Sequence, residues 1–236
     1  MTTEQNHFAY ALSSNDAWAG YKSNQNPNFF SKLAAGQAPK ILWLGCSDSR
    51  CPETTILGLQ PGDVFVHRNI ANIISPTDIN TAAVIEYSVA VLKVKHVVLC
   101  GHTCCGGAAA ALGDGRVGGV LDTWLTPLKA IRNIHREELE SIQEEKDRAI
   151  RIAELNVQYG VKVLMANITI QEAIKERGLE LHGCIFDLTT GRLKDLGCGT
   201  SKAIAGSESQ LGDLVRVQDA QLVIGDSSAK MTIAAV

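Results

Sequence analysis

KILWLGC, residues 40–46, and HVVLCGHTCCGG, residues 96–107, decide the fold. Each is a compact apolar run that ends at glycine beside cysteine, the pattern of a strand buried on both faces. Working outward, DVFVHRN (63–69) reads as another short strand. NTAAVIEYSVAVLKV (80–94) reads as a helix, with Val84, Tyr87, Val91 and Val94 at helical spacing. Residues 121–160 read as helices with a charged middle, where Glu144 and Arg148 stand at i,i+4 on a solvated face. VKVLMAN (161–167) reads as a fourth buried strand. TIQEAIKERG (169–178) reads as a helix, with Thr169 and Glu172 as a capping box and Gly178 as the stop. ELHGCIFDLTTGRLKDL (180–196) reads as a hairpin turning at Thr190-Gly191. Strands alternating with helices predict an α/β fold with a mainly parallel central sheet flanked by helices. Loops at the carboxyl ends of such strands carry the site, and both cysteine-rich turns fall there.

The composition narrows the function classes. The chain has 236 residues, enough for one α/β domain with a real core. Lys+Arg 22 against Asp+Glu 25 gives a net charge of -3, which lacks the electrostatic footprint of a nucleic-acid binder. No apolar run is long enough for a membrane-spanning helix. The N-terminal stretch MTTEQNHFAYALSSNDAW has neither the basic nor the apolar region of a secretory signal, so a cytoplasmic, reducing location is expected. The first residues are polar with interspersed aromatics. They predict one or two short helices that cannot bury Trp18, Phe29 and Phe30 by themselves.

Seven cysteines in such a compartment mean packing, metal or catalysis. Cys184 and Cys198 stand alone and read as small core residues. Cys46 and Asp48 form C-x-D with Arg50 two residues on; His102 and Cys105 form H-x-x-C. Two thiolates and an imidazole suit Zn²⁺. The spacing lets His102 and Cys105 aim to one side, with Cys46 closing the set from a neighbouring strand. Gly101, Gly106 and Gly107 let the backbone turn sharply. This chemistry leaves three options: a catalytic zinc, a structural zinc knot, or unliganded thiols. Asp48 with its own cation tilts the balance to catalysis, since a structural knot has no use for an extra carboxylate.

CSDSR, then PGDVFVHRNIAN, then CGHTCCGG, in this order and spacing, strongly resemble the β-class carbonic anhydrases. The resemblance runs from about Gln37 to Gly107. It implies zinc-dependent reversible hydration of carbon dioxide to bicarbonate, with Cys46, His102 and Cys105 as zinc ligands and Asp48–Arg50 as the catalytic dyad. It implies substrate-pocket roles for Gln37, Phe65, Ile70 (where a Val is common), Tyr87 and Gly106. It also implies N-terminal helices that pack on a partner subunit, in a homodimer or a dimer of dimers. A bacterial-type branch of the family has a non-catalytic bicarbonate site, which Trp43 and Arg68 match, while its tyrosine aligns with Phe186. In that branch Asp48 would become a fourth zinc ligand in a closed state. The expected organisation is a single domain over 1–236, with a helical arm (1–35), a zinc-binding core (36–200) and a weakly patterned C-terminal segment (201–236). Two other functions would use the same residues: a zinc hydrolase of carbonyl sulfide or carbon disulfide, and a non-enzymatic zinc-stabilised interaction domain.

Overall fold

The computed structural model describes residues 6–200, 221–225 and 228–232. In chain order the elements are α1 (His7–Gln25), α2 (Phe29–Ala35), β1 (Ile41–Cys46), α3 (Glu53–Ile56), β2 (Val64–Asn69), α4 (Ile79–Glu86) and β3 (His96–His102). There follow α5 (Gly106–Leu112), α6 (Val120–Trp124), α7 (Thr126–Ile134), α8 (Arg136–Ser141), α9 (Glu145–Met165) and α10 (Ile168–Arg177). The last strands are β4 (Glu180–Asp187), β5 (Arg192–Gly199), β6 (Gln221–Gly225) and β7 (Ser228–Thr232). The sheet order is β2-β1-β3-β4-β5, parallel throughout except for the β4–β5 hairpin. The chain divides into two units, Met1–Ser201 and Lys202–Val236. The second holds the antiparallel pair β6–β7. The remainder of the expected segment 201–236 lies outside the described residues.

Both faces of the sheet are covered, which is why the central strands are continuously apolar. Alternate residues serve different cores. Leu42, Leu44, Val97, Leu99, Leu181 and Ile185 enter the large one. Trp43, Cys51, Cys100, Cys184 and Phe186 form a smaller one on the other face. Each fully buried leucine stabilises the fold by about 2 kcal/mol. Leu42, Leu44 and Leu99 are all essentially inaccessible, so the ends of β1 and β3 rest on the firmly held middle of the sheet. A Cβ on Gly45 would lie 2.4 Å from Trp43 Nε1, so glycine is required where the indole folds back along β1.

Four sequence expectations are corrected. VKVLMAN is not a strand: Val161–Met165 end α9, Ala166 is its C-cap, and Asn167 already caps α10. A short apolar run has no periodicity of its own, and here Val161 and Leu164 continue the buried stripe that includes Val157, at i, i+4 and i+7. Gly160 lies inside the helix. A Cβ there would meet Leu99 Cδ2 at 2.5 Å and Ile74 Cγ1 at 3.2 Å, so its bareness lets α9 press on β3. The capping box also shifts: Asn167 caps α10, its Oδ1 accepting from Ile170 N at 3.1 Å, while Thr169 Oγ1 donates to Glu86 Oε2 at 2.6 Å. Gly178 is the left-handed stop, as expected. On α4 and the π-helical turn that continues it over Tyr87–Val91, the buried residues are Thr81, Ile85, Ser88 and Val89. Of the four residues at helical spacing, Val84 packs partly buried against the core and Val94, just beyond the helix, is buried, while Tyr87 and Val91 are exposed. Finally, α1 is long at 19 residues and buries none of them. Trp18, Phe29 and Phe30 stack edge-on against one another, with centroids 5.1–6.3 Å apart.

Candidate metal centre

Cys46 ends β1 and His102 ends β3, on adjacent parallel strands. The chain then turns through Thr103 and Cys104 to Cys105, which caps α5. Cys104 takes a left-handed φ of 57°, a conformation that turns the backbone sharply enough to bring Cys105 back. The Sγ atoms of Cys46 and Cys105 and a ring nitrogen of His102 lie within 4.8 Å of one another, and all three residues are buried. His102 Nδ1 donates to the Thr103 carbonyl at 2.9 Å. That bond places the ring proton on Nδ1 and leaves a lone pair on Nε2. Nε2 is buried and has no hydrogen-bond partner. An orphaned buried nitrogen flanked by two thiols is costly unless something binds it. The donor set and its mutual distances fit Zn²⁺.

The thiols already share charge. Cys46 is lowered to about 4, first by its hydrogen bond with Cys105, with His102 and the Asp48 backbone adding to it. The Cys105 thiol is pushed up by the same bond and by burial. A cation bound between the two sulfurs would favour the thiolate form of both.

Asp48 stands over this cluster. Its Oδ2 is 3.9 Å from His102 Nε2. Arg50 donates from Nε to Oδ1 at 2.9 Å and from Nη2 to Oδ2 at 2.7 Å. The Arg50 backbone N–H adds a third bond to Oδ1 at 3.0 Å. The guanidinium fork holds the Asp48 carboxyl well below the usual carboxylate range. In this arrangement Asp48 is engaged by Arg50 through both carboxylate oxygens.

Arg68, on β2, braces the loop. It donates from Nε to the Cys46 carbonyl at 2.7 Å and from Nη2 to the Asp48 carbonyl at 2.5 Å. Glu53 faces its other nitrogen at 3.7 Å. Trp43 is buried beside Phe186 and Cys51. Phe65 and Tyr87 stack at 5.7 Å. Ile70 lies in a turn whose carbonyl accepts from Trp124 Nε1 at 2.9 Å. A Cβ on Gly107 would lie 2.9 Å from Ala71 Cβ, so this turn packs directly on the first turn of α5, where Gly106 is exposed. Gln37 is exposed between α2 and β1 and makes no recorded bond to the cluster.

Three supporting residues escaped the sequence reading. Thr103 N donates to Phe186 O at 3.0 Å, and Thr103 Oγ1 donates to Asp187 Oδ1 at 3.3 Å. Asp187 also accepts from Thr189 N and Thr190 Oγ1. The ligand loop after β3 is thus tied to the hairpin turn. Asn69 receives Ile73 N and donates to the Ile73 carbonyl, shaping the turn that carries Ile70. Only D-x-T-T-G in the hairpin hinted at such a turn.

The carbonic anhydrase family model matches residues 41–193. A carbonic anhydrase of Emericella nidulans is 45% identical over 184 residues, covering 78% of this chain and 80% of that protein. A tetrameric β-carbonic anhydrase of Sordaria macrospora superposes with a TM-score of 0.83 at 74% identity, covering 84% of this chain and 100% of that one. A β-carbonic anhydrase of Aspergillus fumigatus gives a TM-score of 0.79 at 53% identity, covering 81% and 91%. None of these relatives supports a sulfur-substrate hydrolase or a non-enzymatic domain. No described helix is long and apolar enough to cross a membrane.

Proposed function

The chain belongs to the β-class carbonic anhydrases, zinc enzymes that hydrate carbon dioxide reversibly, and from that premise we propose how its residues divide the work. Cys46, His102 and Cys105 hold the zinc. The observation that carries this is the buried, unpartnered His102 Nε2 between the two thiols. Zinc supplies Lewis acidity that makes water a nucleophile near neutral pH. Asp48 would accept a hydrogen bond from that water and so turn an oxygen lone pair towards substrate. Arg50 keeps Asp48 ionised and fixes its carboxylate plane. Arg68 acts as a brace: its guanidinium is spent on the Cys46 and Asp48 carbonyls and on Glu53. That reading favours a structural role over a bicarbonate site at Trp43 and Arg68, and Phe186 offers no hydroxyl.

Phe65, Ile70, Tyr87 and Gly106 form the apolar side of the substrate pocket. Ile70 is 43% and Tyr87 44% exposed, so that side is open in a single chain. A second copy covering it would exclude water. The same assembly would bury the exposed Phe8, Tyr10 and Trp18 of α1 and give Gln37 a pocket to line. The tetrameric relative supports a dimer of dimers. Seven free cysteines suit a reducing, cytoplasmic place. Residues 1–35 would then serve as a helical arm ahead of a zinc-binding core.

The test combines zinc content, carbon dioxide hydration and sedimentation. The full chain should carry zinc, hydrate carbon dioxide and sediment as a dimer or tetramer. Deleting residues 1–35 should shift it towards monomer and lower turnover. A fully active monomer would reject the arm's role, and an inactive zinc-loaded full chain would reject the assignment of the site.

A further inference from the structure

A second cluster of ligating groups lies at the opposite end of the sheet. His96 opens β3 and Glu180 opens β4, and the two are register partners. His182 lies two residues after Glu180, on the same face of the strand. Their side chains meet at three atoms. His96 Nδ1 is 3.3 Å from His182 Nε2 and 3.6 Å from Glu180 Oε2; His182 Nε2 is 3.5 Å from the same Oε2. The triangle is nearly equilateral. Ligands bonded at about 2.1 Å in a tetrahedron lie about 3.4 Å apart, so all three edges match the face of a metal site.

We propose that His96, Glu180 and His182 form a second cation site, taking a borderline divalent ion such as Zn²⁺. The ligand chemistry, two imidazoles and a carboxylate without thiolate, selects such ions over Mg²⁺ or Ca²⁺. The backbone holds the geometry before any ion arrives. Lys95 N and His96 N both donate to the Lys40 carbonyl, at 2.8 and 3.0 Å, and Glu180 N donates to the Lys95 carbonyl at 3.0 Å. The side chains remain partly open to solvent, which gives an ion a way in. Burial, and then the charge of His96, lower the pKa of His182 and favour the neutral ring that ligates metal. Asp195, on the neighbouring β5, adds negative charge near His182. The site is separate from the Cys46 centre: His96 and His102 are opposite ends of β3, about 20 Å apart at strand rise. An ion there would pin β3 to β4.

The proposal does not depend on the catalytic reading, and its readout is stoichiometry. Purified full-length protein is equilibrated with micromolar Zn²⁺, and zinc per chain is measured. Wild type should hold two equivalents, and the double variant H96Q/H182Q one, with carbon dioxide hydration retained. Should the double variant not fold, Glu180→Gln, which keeps both imidazoles, should also lose the second equivalent. In Co²⁺-substituted protein, the second equivalent should add no thiolate charge-transfer absorption, and it should raise Tm in wild type alone. A single equivalent in wild type would overturn the proposal and leave a hydrogen-bonded histidine pair. A second equivalent that survives H96Q/H182Q would overturn it equally.

Discussion

Arg50 grips Asp48 through both carboxylate oxygens, and its Nη2 also reaches the Cys104 carbonyl at 3.1 Å. One guanidinium therefore ties the loop after β1 to the loop after β3. That side chain links the two ligand-bearing loops directly, alongside the Arg68 brace on the first and the Thr103–Asp187 tie on the second.

Removing the charge from Asp48 should separate binding from turnover. Asp48→Asn is expected to keep zinc and to lose hydration rate by about a hundredfold, the scale of a lost acid–base partner. Arg50→Lys replaces a planar fork with a point charge and should cost about tenfold. Stopped-flow hydration alongside zinc content checks both. Near-normal turnover in Asp48→Asn would reject its role.

The adjacent thiols should behave oppositely. Cys105 is buried in the ligand cluster, while Cys104 is exposed. Cys105→Ser should lose zinc and activity, and Cys104→Ser should keep both. Cys104→Val should destabilise by about 1 kcal/mol, because a branched side chain tolerates φ of 57° poorly. Thermal melts and metal analysis distinguish the three. Zinc lost from the Cys104→Ser chain would invert the assignment.

Gly160 tests the packing of α9. Alanine in a helix interior normally stabilises by about 1 kcal/mol. Here the added methyl meets Leu99 at 2.5 Å in a filled core, so overpacking of about 1–3 kcal/mol should win. Gly160→Ala should therefore melt lower than wild type. A higher Tm would show that β3 and α9 can part at no cost.

His67 should make the fold acid-sensitive. Thr81 Oγ1 donates to Asp78 Oδ2, so His67 Nε2–H must donate to Thr81, at 2.9 Å. Burial lowers the pKa of His67 below 6.5, against a smaller opposing pull from Asp78. The neutral ring's stability is complete above the unfolded value of 6.5 and is lost as pH falls through the lower folded value. Urea midpoints should fall below pH 6.5 in wild type and less so in His67→Gln. Parallel curves from pH 8 to pH 5 would remove His67 from the account.

Much of the site was legible in the chain because its chemistry is local. C-x-D-x-R and H-x-x-C each lie within a few residues, and each follows an apolar run whose length and glycine stop mark a buried strand. Parallel pairing of two such strands brings their carboxyl ends together, so convergence of Cys46 with His102 follows from alternation of strands and helices. The hairpin at Gly191 was legible for a similar reason: a turn signal sits between two strand patterns. What depended on distant partners was not. VKVLMAN has no period over seven residues, and its helical state comes from the register of α9 against Leu99, which Gly160 permits. Arg68 carries no local sign that it will brace the Cys46 and Asp48 carbonyls. Thr103 finds Asp187 only because β3 pairs with β4. The triangle of His96, Glu180 and His182 arises from that same pairing. The sequence by itself determined which residues could bind and react. Register and packing between remote segments decided which atoms face one another, because hydrogen-bond and ligand geometry is set to tenths of an ångström and only the folded backbone holds positions that finely.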